Sequence, residues 1–87
     1  MMSEKAKLVT KEFRGILRTE GISNRNVSVT CKQTKENGKI VEIIYVIVLI
    51  PNTALDAHIE SIVEKFKRKY ATKSLRFMFM SRTHCSK

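Results

Sequence analysis

The sequence predicts an α+β two-layer sandwich with element order α-β-β-α-β, a three-stranded mixed sheet and two helices on one face. Three observations lead there. Two segments repeat apolar residues at helical spacing, one Asn-Gly pair sits between two strand-like runs, and a single proline ends the second of those runs. At 87 residues the chain has room for one domain, 1–87, with one modest core.

The first helix follows from Ser3 as a cap and Glu4 beside the positive end of the dipole. Ala6, Val9, Phe13, Ile16 and Leu17 then form an apolar face, and Gly21 ends the helix as a left-handed cap. Projected at about 100° per residue, Lys7, Lys11, Arg14 and Arg18 fall on one stripe away from that face, with Glu12 and Glu20 outside it. Such a stripe reads equally as a phosphate-tracking ridge and as an ordinary solvated helix face.

Val27, Val29 and Cys31 alternate with Ser28, Thr30 and Lys32, the period of a half-buried strand. Asn37-Gly38 is the strongest two-residue hairpin signal. A turn there pairs Glu36 with Lys39 and sets Val27, Val29 and Cys31 opposite Val48, Val46 and Ile44. The returning strand is apolar on both faces apart from Glu42, which makes it central. Pro51 stops it, because proline lacks a ladder donor.

Asn52 or Thr53 caps the second helix, whose apolar face is Leu55, Ile59, Ile62, Val63, Phe66 and Tyr70. Asp56, Glu60 and Glu64 precede Lys65, Lys67, Arg68 and Lys69, an order that suits the macrodipole and allows a Glu64–Arg68 pair. These acids read as solvated, dipole-matching side chains on the helix surface. Leu75 to Met80 forms the third strand, placed parallel beside the second by a crossover, and 83–87 reads as a flexible tail.

With the helices on one face, the other face exposes Ile43, Tyr45, Ile47, Leu49, Met78 and Met80, rimmed by Lys32, Arg76 and Arg82. A contiguous apolar patch of that kind marks an interaction site, here pairing of two copies sheet to sheet. A base-stacking platform is the weaker reading, since Tyr45 is its sole ring.

Catalytic chemistry finds little support, and the chain reads as a non-enzyme. Cys31 points inward, His84 and Cys85 adjoin in the tail, and His58 completes no zinc spacing. No glycine-rich phosphate loop is present, so neither cofactor nor metal is expected. No run is long enough to span a membrane, and Met1 to Lys5 does not read as a signal peptide, so the expected location is cytoplasmic.

Charge is the informative feature. The chain carries 17 Lys and Arg against 8 Asp and Glu, a net of +9. Residues 1–64 are close to neutral, whereas Lys65, Lys67, Arg68, Lys69, Lys73, Arg76, Arg82 and Lys87 follow with no acid among them. The partner that suits such a field is a polyanion, and the leading expectation is nucleic acid held through phosphate contacts, with Lys7, Lys11, Arg14 and Arg18 contributing. The alternative is a protein-interaction factor that docks on an acidic surface.

In motif order the chain resembles the large polyvalent protein-associated domains of phages and conjugative elements. Lys11-Glu12-Phe13-Arg14 before a Leu, Val27-Ser28-Val29 opening a strand, the strand ending at Pro51 and Ile62-Val63-Glu64-Lys65-Phe66 carry the likeness over residues 8–70. Leu49-Ile50 replaces the Asp-Gly that precedes the proline in that family. The resemblance implies an accessory protein of a mobile element, in a family without assigned activity; under the alternative reading it would inhibit a host defence or replication protein.

Overall fold

The computed structural model describes residues 4–81. Ser3, Arg82 and the tail 83–87 therefore lie outside the described residues. The elements are α1 (Glu4–Thr19), β1 (Val27–Glu36), β2 (Lys39–Val48), α2 (Thr53–Tyr70) and β3 (Leu75–Ser81), in the expected order. β1 and β2 are antiparallel, β2 and β3 parallel, and the sheet order is β1-β2-β3.

Local chemistry sets the boundaries. Gly21 takes φ +74°, donates to the Arg18 carbonyl at 3.0 Å, and lets Ile22 donate to the Leu17 carbonyl at 2.8 Å. These paired bonds satisfy the orphan carbonyls at the end of α1. Asn37 and Gly38 both have positive φ, 52° and 79°, as a type I′ turn requires, and the register runs from Glu36↔Lys39 to Val27↔Val48. Asn52, rather than Thr53, caps α2: its Oδ1 accepts from the Leu55 N–H at 3.0 Å.

The core joins both helices to one side of the sheet. Ala6, Val9, Phe13 and Leu17 of α1 and Ile59, Ile62, Val63 and Phe66 of α2 pack with Val27, Val29, Ile44, Val46, Val48, Leu75 and Phe77. The registers put all seven strand residues on the same face. Phe66 is the hub, with ring centroids 4.9 Å from Phe13 and 6.3 Å from Phe77. The two helices run antiparallel: Tyr70 donates to Glu12 at 2.7 Å near one end, and His58 meets Glu20 near the other. α1 lies chiefly against β1 and α2 chiefly against β3, leaving the outer edge of β1 free beside the outer flank of α1.

One expectation is corrected. Asp56 does not lie in water; it is 3% exposed, and neither carboxylate oxygen has a hydrogen-bond partner. It sits one turn inside the Asn52 cap on the flank that continues into Ile59 and Val63, so seating that flank on the core carries it in. Glu60 and Glu64 are exposed, as expected.

Candidate nucleic-acid interface

An edge strand leaves one row of backbone groups without a ladder partner. On β1 the Val29 carbonyl is in that row, and the Arg14 guanidinium reaches across from α1 to donate to it at 2.6 Å. That bond fixes Arg14 at the centre of a cleft between α1 and β1. Two hollows meet there, both lined by Arg14 and Arg18. One, of about 740 Å³, runs toward Ser23, Ser28 and Thr30. The other, of about 440 Å³, is bounded by Lys7, Thr10, Lys11 and Cys31.

The α1 stripe is thus assembled into one wall of a cleft. Lys7, Lys11, Arg14 and Arg18 line it, and no ion pair neutralises any of the four among the described residues. The opposite flank of α1 carries Glu12, Ile16 and Thr19 toward α2. The strand alternation assigns Cys31 to the core, and nothing in the helical pattern singles out Thr10. Cys31 faces the helix side and is only partly buried. Burial, and secondarily the Glu42 carboxylate, push its thiol pKa up. Thr10 is 5% exposed, and its hydroxyl has no partner. A helical threonine normally bonds back to the preceding turn, and leaving a buried hydroxyl unpaired costs about 1–3 kcal/mol.

The C-terminal cations are distributed differently. Lys65, Lys67, Arg68 and Lys69 lie on the last turns of α2, Lys73 in the connector, and Arg76 on β3. Lys67 pairs with Glu64 at 3.6 Å, which replaces the expected Glu64–Arg68 pair, and Lys69 lies 3.8 Å from Glu12. Arg76 makes a two-bond fork to Glu36, at 2.8 and 2.7 Å, on the far side of the sheet from α2. Lys65, Arg68 and Lys73 carry no ion pair among the described residues. Among the described residues the cations of the acid-free segment are therefore split between the two layers, and three of them are paired.

The open sheet face has the expected rows, Ser28–Ile47–Met80, Thr30–Tyr45–Met78 and Lys32–Ile43–Arg76. Ile43, Tyr45 and Ile47 are half-buried, while Met78 is 47% and Met80 37% exposed. The Lys32 ammonium sits 5.9 Å from the Tyr45 ring centroid. Leu49 lies beyond the end of β2 and donates to the Asn26 carbonyl at 2.7 Å. Val41 shares this face yet is 4% exposed, because the Glu36–Arg76 fork spans its row.

No helix among the described residues is long and apolar enough to cross a membrane. Comparison with protein-family models, curated proteins and solved structures finds no match to this chain.

Proposed function

We propose that the protein binds nucleic acid non-catalytically through the sugar-phosphate backbone, with the α1–β1 cleft as the principal contact. The observation that carries this reading is the unneutralised row Lys7, Lys11, Arg14 and Arg18 along one wall of a cleft, with Arg14 held in place by the Val29 carbonyl. The eleven residue steps from Lys7 to Arg18 span about 16 Å of helix, enough for several successive phosphates. Contacts of this type set register without reading bases, so sequence preference is weak. Lys65, Arg68 and Lys73, without an ion pair among the described residues, supply a second, smaller set of cations at the end of α2 and in its connector to β3. In the setting that the resemblance implies, this is the work of an accessory protein of a mobile element.

Fluorescence anisotropy with labelled single-stranded and duplex oligonucleotides tests the reading. Saturable binding that weakens linearly in log K against log salt supports it. Absence of binding to every oligonucleotide at about 50 mM salt overturns it and leaves docking on an acidic protein surface as the use of the same cations.

A further inference from the structure

We propose that the 440 Å³ cavity between Thr10 and Cys31 is a seat for one phosphate group. About 440 Å³ leaves ample room for one phosphate group with its hydration. The proposal deepens the nucleic-acid reading by naming the chemical group that the cleft takes.

Two independent features point to the same ligand. The first is charge. Lys7, Lys11, Arg14 and Arg18 border the cavity, and no carboxylate lines it; Glu42, the acid that acts on Cys31, lies behind it on β2. Arg14 spends one guanidinium N–H on Val29, which orients the rest of the planar fork that suits phosphate oxygens. The second is Thr10, a residue of the cavity wall that is about nineteen-twentieths buried and whose hydroxyl, enclosed and without a partner, reaches the cavity by rotation about its first side-chain torsion. A hydroxyl can donate to a phosphate oxygen, and an anion drawn in by the four cations supplies the missing acceptor. Among the described residues no aromatic side chain lines the cavity, so none of them stacks on a base there. The group recognised is the phosphate itself, as an internal diester or as a terminal monoester.

Cys31 reports occupancy. In a Cys85→Ser background it is the sole cysteine, and its alkylation by neutral iodoacetamide is followed at one alkaline pH. Inorganic phosphate is titrated against chloride at constant ionic strength. At about ten times the half-effect concentration, the unoccupied fraction and the alkylation rate fall about tenfold. Thr10→Val keeps the side-chain shape and removes the donor, and it raises the half-effect concentration; Lys11→Met raises it as well. Circular dichroism verifies that each variant is folded. Two oligonucleotides of one sequence, with and without a 5′-phosphate, separate the sources: equal protection assigns an internal diester, and protection by the phosphorylated strand alone assigns a terminal monoester. A Cys31 rate indifferent to phosphate, or slowed equally by chloride, or slowed equally in Thr10→Val, overturns the proposal. Oligonucleotide binding without Cys31 protection overturns the seat and leaves the backbone reading standing. Phosphate protection without oligonucleotide binding does the reverse.

Discussion

Removing two cations from the α1 wall is predicted to flatten the salt dependence of nucleic-acid binding, whereas removing whole ion pairs elsewhere is not. Each phosphate neutralised on a single strand contributes about −0.7 to the slope of log K against log salt. The four unpaired α1 cations, neutralising the seated phosphate and its neighbours along the strand, contribute about −2.8 to the slope, an affinity loss of about 50-fold between 50 and 200 mM salt. Lys11→Ala with Arg18→Ala leaves two contacts, a slope of about −1.4 and a loss of about sevenfold. The comparison variant replaces Glu64, Lys67, Glu36 and Arg76 with Gln. Those four form two pairs, with N···O distances of 3.6 Å and 2.7 Å, whose charges already cancel locally. Removing both members of each pair leaves the surrounding field unchanged, and the slope stays near −2.8. Gln at 36 and 76 keeps polar, hydrogen-bonding side chains over the Val41 row, and circular dichroism verifies that the variant is folded. Anisotropy titrations at four salt concentrations read both slopes. A comparison variant that flattens as much as the cleft variant would refute the assignment of binding to α1.

Phe13→Ala removes a fully buried ring at the meeting of both helices and the sheet and is expected to cost about 3–5 kcal/mol. A domain of this size holds about 4–13 kcal/mol in all, so its melting point falls by more than about 12 °C; a shift below about 4 °C in a circular dichroism melt counts against the core assignment. The folded Cys31 thiol has a raised pKa, so its contribution to stability is full at neutral pH and is lost as pH climbs past the ordinary thiol range toward the folded value. Glu42→Gln removes the secondary cause and speeds Cys31 alkylation at a fixed alkaline pH; a rate profile with its midpoint at or below the ordinary thiol value contradicts this. Sheet-to-sheet pairing through Ile43, Tyr45 and Ile47 is expected to be abolished by Tyr45→Glu with Ile47→Glu, read by light scattering, and a wild-type chain of monomer mass rules that pairing out.

What the sequence makes legible is whatever a few adjacent residues determine. Asn37-Gly38 favours positive φ at two consecutive positions, and that one turn fixes ten cross-strand partners. Gly21 ends α1 by the same kind of local chemistry, whereas β2 ends at Val48, three residues before Pro51. The run from Ile43 to Val48, apolar on both faces, identifies the central strand, because only a strand with two neighbours carries so little polar surface. Asp56 escapes the reading because a single position on a helix flank is polar by type and buried by packing. The cleft escapes it for a longer-range reason. Thr10 and Cys31 are 21 positions apart, and they share a wall only because α1 settles over β1 with its basic flank outward.

Net charge per segment and field at a surface are different quantities, and the fold separates them through the carboxylates. Glu12, Glu36 and Glu64 are spread over more than fifty positions of sequence, yet each reaches a cation of the acid-free segment. Glu20 meets His58, Glu42 and Asp56 are buried, Glu60 is on α2, and Glu4 stands at the head of α1. None of these eight acids lines the α1–β1 cleft. The nearly neutral first part of the chain therefore presents the least compensated row of cations, while the strongly basic last part is partly neutralised by folding. Paired surface cations retain little net field beyond a Debye length of about 8–10 Å. Cations on one wall of a cleft with no acid facing them keep theirs within that distance. The positive site follows from where the carboxylates go, and the charge to mutate lies on α1.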